Sequence, residues 1–409
     1  MSITTLVDKK QVFVGMSGGV DSSVTAALLK RAYLDSRGRV RIAGDHRSEA
    51  RYSCTGFDVI GVHIKMWSDP EIPCNFKEDR YDAMRVCAHL GIPFETWDFT
   101  EEYKKEVVEY MIREYAAGET PNPDVMCNRH IKFGIFLKRA LERGADFIAT
   151  GHYVRLANVT DTRRLDADQR RRLMLMQAKD LNKDQSYFLW TLAQEQLVHC
   201  LFPIGEFTKS HVREMARKFG LSTAEKKDSQ GICFIGEIDM KEFLKKYILT
   251  RPGLVRTGAG KIVGQHEGLS FYTIGQREGL GIGGGIPYYV AQKDFEQNAL
   301  VVAEGPYDET LFSSELRMGD INWISGKEPK LPLKCGARIR YRQPLQRCRV
   351  EALTHADYTE TDAENSARVR VKSATVRVIF DEPQRAVTPG QSVVFYKRGE
   401  MLGGGVIGG

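Results

Sequence analysis

The chain has 409 residues, 42% of them apolar and 27% charged, with a formal net charge of +6 and a pI near 8.7. That length exceeds one hydrophobic core and predicts two or three domains of a soluble globular protein. No apolar run is long enough to cross a bilayer, and the mild basicity permits nucleic-acid binding without demonstrating it.

The first ten residues lack the layout of a signal peptide and leave too little chain for an Arg-rich transit sequence. A cytoplasmic protein is expected; an organellar form, or one with its presequence trimmed, is compatible with the same residues. An apolar run over 11–16 then reads as a buried strand. It breaks at Ser17-Gly18-Gly19, and Val20, Val24, Ala27 and Leu28 follow at helical spacing. A strand, a glycine loop and a helix in that order aim backbone N–H groups at one point beside the positive end of a helix dipole. That is an anion site, most often for phosphate. No Gly-Lys-Ser/Thr follows the glycines, so this is not a Walker A loop, and the Gly-x-Gly-x-x-Gly spacing of a dinucleotide fold is missing too. Ser17-Gly18-Gly19-Val20-Asp21-Ser22 instead resembles the signature of the ATP pyrophosphatases, which cleave ATP between the α and β phosphates.

Strand and helix patterns alternate to residue 150: strands over 58–66, 93–99 and 146–150, helices over 77–90, 101–117 and 129–143. Strands separated by helices predict a parallel sheet with right-handed crossovers, whose ligands sit at the carboxyl ends of the strands. The glycine loop, the segment around Ile64 and Thr150-Gly151-His152 should therefore converge. Helices are expected over 209–219 and 239–248. Glycines crowd 275–285, and short strands dominate beyond 313: 337–341, 347–353, 368–371, 374–380 and 392–396, with turn signals such as Thr388-Pro389-Gly390 between them. This predicts a small antiparallel barrel. The fold class is α/β: a parallel-sheet domain over 1–205, a small mixed domain over 206–305 and a β-barrel over 306–409. Residues 35–54 and 158–172 each carry five arginines and read as solvated loops, with contact to RNA phosphates as the alternative.

Eight cysteines are spread along the chain, none in a C-x-x-C pair, which argues against a zinc knuckle; no metal site is expected. Two have unusual surroundings. Cys127 follows Thr120-Pro121-Asn122-Pro123-Asp124, whose prolines should forbid helix and stiffen a loop. It precedes a helix expected near Arg129, whose dipole, with Arg129, His130 and Lys132, would lower a thiol pKa. Cys233 lies in a glycine loop after Lys226 and Lys227, an accessible, thiolate-favouring setting. The other six read as buried small hydrophobes.

Together these motifs identify the chain as similar to the tRNA-specific 2-thiouridylases. The resemblance covers nearly the whole chain. It rests on the loop from Gly15 to Ser23, Thr120-Pro121-Asn122-Pro123-Asp124 with Cys127-Asn128, Ile131-Lys132-Phe133-Gly134 and Thr150-Gly151-His152-Tyr153. Further along it rests on Lys183-Asp184-Gln185-Ser186-Tyr187, the stretch from Asp228 to Gly236, the stretch from Thr273 to Gly281, Arg340-Tyr341-Arg342 and Pro389-Gly390-Gln391. The resemblance implies a PP-loop ATP pyrophosphatase domain that puts sulfur on C2 of the wobble uridine, using ATP and Mg2+. It implies that Gly15, Met16, Ser17, Gly18, Gly19, Val20, Asp21 and Ser22 hold the ATP phosphates, with Ile64 and Gly151 at the adenosine end. Ile64 stands where the family usually has methionine.

The resemblance further implies that Asn122, Pro123 and Asp124 meet the target base, with Asp124 as general acid/base. Cys233 would carry a persulfide from a sulfur-donor protein, and Cys127 would help release that sulfur, leaving a Cys127–Cys233 disulfide. His152, Lys183, Asp184, Gln185, Arg340, Tyr341 and Gln391 would contact tRNA. Asp21 and the loop serines are the nearest candidates to position the metal ion. Arg338, Arg340, Arg342, Arg347 and Arg349 alternate and should share one face of the barrel strands. A monomer without membrane contact is expected. Two rivals keep part of this reading: an adenylating enzyme that forms amides or lysidine, and a non-catalytic RNA-binding protein.

Overall fold

The structure, a computed structural model, describes residues 9–34, 40–42, 56–69, 75–158, 172–227, 240–283, 285–353 and 376–408. Most of the two arginine-rich stretches, the expected strand over 368–371, Cys54, Cys74, and the motif from Asp228 to Gly236 with Cys233 lie outside the described residues. The chain divides into two compact units. One comprises Met1–Lys104 and Met126–Glu237, the other Lys105–Val125 and Ile238–Gly409.

The first unit is built on a parallel sheet. Its strands are β1 (Lys10–Gly15), β4 (Phe57–Lys65), β5 (Phe94–Asp98), β6 (Phe147–Ala149) and β9 (Cys200–Leu201), in the order β5-β4-β1-β6-β9. A two-stranded antiparallel ribbon, β2 (Ala32–Leu34) with β3 (Val40–Ile42), and a hairpin, β7 (Val154–Asn158) with β8 (Leu173–Gln177), belong to the same unit. β1 is central, and Val12, Phe13 and Val14 are buried on both faces, which is why the strand reads as an unbroken apolar run. The chain leaves β1 toward β4 on one side and later returns to β6 on the other. β1 therefore stands at the topological switch point, where an open parallel sheet leaves a crevice beyond its carboxyl ends.

Helix α1 (Val20–Lys30) starts in that crevice and is buried along most of its length. Its polar residues tolerate burial because Ser23 Oγ donates to the Gly19 carbonyl (2.7 Å) and Thr25 Oγ1 to the Asp21 carbonyl (2.9 Å). The helix Lys209–Lys218 covers α1 with Val212, Met215 and Ala216, an apolar stripe at helical spacing in the same core. Helix α2 (Phe76–Leu90) packs beside them and stops at Gly91 in the left-handed conformation.

Two expected helices take a different form. The one over 101–117 is interrupted by a π-helical turn, Lys104–Val108. The one expected from 129 is already helical at Pro123, because proline at the first helical position loses no hydrogen bond and has a suitable φ. Asn122 Oδ1 accepts from the Val125 N–H (3.4 Å) in the manner of an N-cap. A π-helical run, Cys127–Ile135, follows. Gly134 fits that wide turn because a Cβ there would lie 2.8 Å from the Arg129 carbonyl oxygen.

The second unit holds two sheets. β10 (Gly253–Thr257), β11 (Ile262–His266), β12 (Tyr288–Asp294) and β13 (Ala299–Glu304) form a mixed sheet in the order β11-β10-β13-β12. Beyond it, β14 (Phe312–Trp323), β15 (Leu333–Arg338), β16 (Gln346–Ala352), β17 (Val376–Arg385), β18 (Ser392–Lys397) and β19 (Glu400–Ile407) pair as β14-β17-β16-β15-β18-β19. The β14–β19 pairing closes an antiparallel barrel. Its interior is filled by Leu316, Met318, Ala337, Val350, Val378, Val393, Phe395 and Ile407.

The five barrel arginines do not share one face. β15 ends at Arg338, which is buried with its guanidinium 5.2 Å from the centre of the Tyr396 ring. Arg340 and Arg342 follow in a turn that gives Arg342 a φ of 64°. Arg347 and Arg349 alternate on β16 and are exposed.

Candidate active site

The loop after β1 is fixed from three sides within the first unit. Below it, the Met16 N–H donates to the Val62 carbonyl (2.7 Å), and His63 Nδ1 lies 2.8 Å from the Met16 carbonyl. Burial lowers the His63 pKa, so the ring is neutral near pH 7 and donates from Nδ1. Within the loop, Ser17 Oγ and Ser22 Oγ are 3.1 Å apart, and the Ser17 N–H donates to Ser22 Oγ (3.2 Å). Gly18 takes a φ of 76°, and a Cβ there would collide with the Asp79 backbone on α2. Gly19 is the N-cap of α1, and no side chain caps the helix. The first-turn N–H groups are therefore left for a ligand, the polarity an anion requires.

On the third side, Gly151 follows β6. A Cβ there would lie 2.8 Å from the Ser22 nitrogen and 2.9 Å from the Asp21 carbonyl carbon. Only glycine lets the end of β6 close on the first turn of α1. Thr150 Oγ1 is 2.8 Å from Nδ1 of His152, which is buried among Phe133 and Phe202. Burial, and to a lesser degree Lys132, hold its pKa well below the usual histidine value, so this ring is neutral as well.

Sequence reasoning missed the cation of this site. Lys209 Nζ donates to both carboxylate oxygens of Asp21, at 2.7 and 2.8 Å, across 188 positions of chain. Tyr153 Oη donates to Asp21 Oδ1 at 2.8 Å. The residues present thus fit a polyphosphate: uncapped N–H groups, hydroxyls and one lysine. They do not fit a protein-held Mg2+ at Asp21, whose two oxygens face the ammonium. Among the described residues no group of three His, Cys, Asp or Glu side chains is placed to hold a metal ion. Behind the loop, Lys226 Nζ binds Asp79 (2.7 Å) and Asp82 (2.6 Å) on α2.

Ile64 sits near the carboxyl end of β4, opposite Trp97 in register. Cys127 opens the π-helical run and is 3% exposed. It follows a full helical turn begun at Pro123, so it lies beyond the first turn, where a helix dipole acts most strongly. Gln185 Oε1 accepts from the Tyr153 N–H (2.9 Å), and Asp184 accepts from the Ala178 and Ser186 N–H groups (3.1 and 3.2 Å). These two side chains shape the turn after β8; Lys183 is half-buried on it.

In the second unit, Thr120 and Pro121 precede Asn122, Pro123 and Asp124 and are clasped by the Pro389-Gly390-Gln391 turn. The Thr120 N–H donates to the Pro389 carbonyl (3.0 Å), and Gln391 Nε2 donates to the Thr120 and Pro121 carbonyls (2.9 and 3.2 Å). Arg340 donates to the Ile274 and Ala386 carbonyls and to Thr388 Oγ1, each at 3.1 Å, bracing that turn from behind. The Arg342 guanidinium lies 5.0 Å from the centre of the Tyr341 ring.

Comparison with known proteins agrees with this architecture. A family model described as the tRNA methyl transferase HUP domain matches residues 10–55 and 46–237. One described as the tRNA methyl transferase PRC-barrel domain matches 241–304, and one described as the Aminomethyltransferase beta-barrel domain matches 313–359 and 354–407. The chain is 44% identical over 400 residues to the tRNA-specific 2-thiouridylase MnmA of Geobacillus thermodenitrificans, covering 97% of this chain and 94% of that protein. It is 43% identical over 408 residues to the protein of the same name from Francisella tularensis, covering 98% and 100%. Among solved structures, the U34-tRNA thiolase NcsA from Methanococcus maripaludis aligns with a TM-score of 0.33 at 16% identity, over 55% of this chain and 61% of that one.

Proposed function

The chain belongs to the tRNA-specific 2-thiouridylase family, and from that premise we propose that it is an ATP-dependent tRNA sulfurtransferase that replaces the C2 oxygen of the wobble uridine by sulfur. The observation that carries this reading is the uncapped glycine loop at the switch point of the sheet, closed by Gly151 and supplied with one cation by Lys209.

The C2 oxygen of uracil is a poor leaving group, and ATP, when bound, supplies the adenylyl group that makes it a good one. Gly15, Met16, Ser17, Gly18, Gly19, Val20, Asp21 and Ser22 hold the phosphates through N–H groups and hydroxyls. Ile64 and Gly151 border the adenosine. A Mg2+ ion would supply further countercharge there, and Ser17 and Ser22 are the loop hydroxyls that would help to hold it.

Asn122, Pro123 and Asp124 form the shelf for the flipped base, and the clasp on Thr120 and Pro121 fixes its root. Asp124 moves the proton at the base. Cys233 carries the terminal sulfur of a persulfide from a donor protein, and Cys127 attacks the inner sulfur to release it. The Cys127–Cys233 disulfide left behind takes two electrons and two protons from a thiol reductant. Lys183, Tyr341 and the exposed Arg347 and Arg349 meet tRNA phosphates and bases. His152, Asp184, Gln185, Arg340 and Gln391 hold the surfaces that do so. The working protein is a cytoplasmic monomer.

The test is mass spectrometry of tRNA nucleosides after incubation with ATP, Mg2+ and a sulfide source. Thiouridine at the wobble position is expected. A Cys127→Ser or Cys233→Ser variant should bind tRNA and release pyrophosphate without thiolating when the donor is a persulfide protein. Pyrophosphate release with a product that carries nitrogen at the base would favour the amide- or lysidine-forming reading. No tRNA-stimulated release would favour the non-catalytic one.

A further inference from the structure

The glycine loop lacks the lysine that a Walker loop places beside its phosphates, yet a lysine reaches the same place from elsewhere in the chain. Lys209 is the first residue of the helix Lys209–Lys218. Its N–H donates to Asp180 Oδ2 (2.9 Å), Thr208 caps the helix through the His211 N–H, and its ammonium lies 5.8 Å from the centre of the Tyr153 ring. The helix shares a core with α1, so the separation between Lys209 and the loop is set by packing. The side chain is 12% exposed.

We propose that Lys209 is the phosphate-neutralising lysine of this site, and that Asp21 is its holder rather than a ligand of the metal ion. The proposal rests on the reading of the loop as an ATP site. In adenylation, a bond forms between the uracil O2 and the α phosphorus. The bond from that phosphorus to the α–β bridging oxygen breaks, and its electron pair leaves with pyrophosphate as the N3 proton is lost. Negative charge grows on the β phosphate. An ammonium has three donors and can touch a carboxylate and a phosphate together. Asp21, the second residue of α1, aims that ammonium at the N-terminal end where the phosphates gather. The lysine also has the required reach: Nζ is bonded to a carboxylate whose own backbone supplies one of the uncapped N–H groups.

The alternative is a structural ion pair that only ties two helix starts together. Calorimetric titration of the full chain with ATP, AMP and inorganic pyrophosphate, with and without Mg2+, separates the two, with the thermal unfolding midpoint as control. Lys209→Met should weaken ATP and pyrophosphate binding on the order of tenfold or more and leave AMP unchanged, since AMP lacks the β and γ phosphates. Lys209→Arg should restore most of the loss. Asp21→Asn should weaken ATP in the same sense while the dependence of ATP affinity on Mg2+ stays as in the wild type. If Lys209→Met does not fold, Lys209→Gln takes its place. Equal losses for AMP and ATP, or no loss for either, overturn the proposal, as does loss of the Mg2+ dependence in Asp21→Asn. Failure of the unaltered protein to bind any of the three overturns the ATP reading itself, a result distinct from failure of a variant.

Discussion

Gln391 donates its side-chain amide to the main-chain carbonyl of Thr120 at 2.9 Å, joining residues 271 positions apart. The same amide reaches the Pro121 carbonyl at 3.2 Å, and the Thr120 N–H returns a bond to Pro389. A side chain that the sequence marks as an RNA contact thus holds the backbone from which Asn122, Pro123 and Asp124 project. Gln391→Ala leaves two partly buried carbonyls short of a donor, a cost of about 1–2 kcal/mol. Thiolation of tRNA should fall more than pyrophosphate binding does, and Gln391→Glu, which turns a donor into an acceptor facing two carbonyls, should fall further. Steady-state thiolation beside pyrophosphate titration checks this.

Gly151→Ala tests how closely β6 must approach α1. The added carbon would lie within 3 Å of the Ser22 nitrogen and the Asp21 carbonyl carbon, both main-chain atoms that cannot rotate away. Overpacking of this kind costs about 1–3 kcal/mol. On the proposed reading of the loop as an ATP site, affinity for ATP should drop on the order of tenfold with a modest fall in the unfolding midpoint, because the displaced Ser22 N–H belongs to the uncapped first turn of α1. Nucleotide titration of the variant decides it.

The second unit should lose stability as the pH rises from 5 to 7. Glu119 is raised to about 7 by burial, against the pull of Lys293 and reinforced by Glu114. Lys293 is lowered to about 8 by burial, against the pull of Glu119, and its Nζ donates to the Gly118 carbonyl at 2.8 Å. The folded Glu119 carboxyl holds its proton more tightly than an unfolded one. Its contribution is complete below the ordinary value of 4.5 and is lost as the pH climbs through 7. The Lys293 contribution runs the other way: complete above 10.5 and lost as the pH falls through 8. Both are missing between 7 and 8, so this pair stabilises least there. Unfolding midpoints measured against pH should fall by a few degrees between 5 and 7.5 in the wild type and stay flat over that interval in Glu119→Gln.

Cys335 and Cys348 face each other across β15 and β16, with their sulfurs 3.7 Å apart. A disulfide needs about 2.05 Å, and directly opposed strand residues can supply it by side-chain rotation. Hydrogen bonding to Cys335 and burial push the Cys348 thiol up, so the reaction should be slow at neutral pH. Hydrogen peroxide should remove one hydrogen from each thiol, with two waters as product, and join these two cysteines. The bridge should stabilise the barrel by about 2–3 kcal/mol. Non-reducing peptide mapping reads the pairing, and Cys335→Ser should abolish it.

Much of the first unit was legible because its signals are local. The apolar run before Ser17, the glycines after it and the apolar spacing of α1 each describe a few neighbouring residues, and the structure follows them within a residue or two. Pro123 misled for a local reason as well. A proline bars the helix interior but suits its first position, and only the cap at Asn122 tells the two apart. The barrel arginines misled because alternation implies one face only while the strand lasts, and β15 stops at Arg338.

The order of motifs along the chain determined the family and the parallel sheet, since each motif names residue types whose apolar spacing or backbone freedom is a local property. Tertiary packing alone decided which cation meets Asp21 of the glycine loop and what clasps the backbone of Thr120 and Pro121. Lys209 and Gln391 lie 188 and 271 positions from their partners. At such separations the spacing in sequence carries no information about distance, and only the burial of shared apolar faces brings the charges and amides within bonding reach.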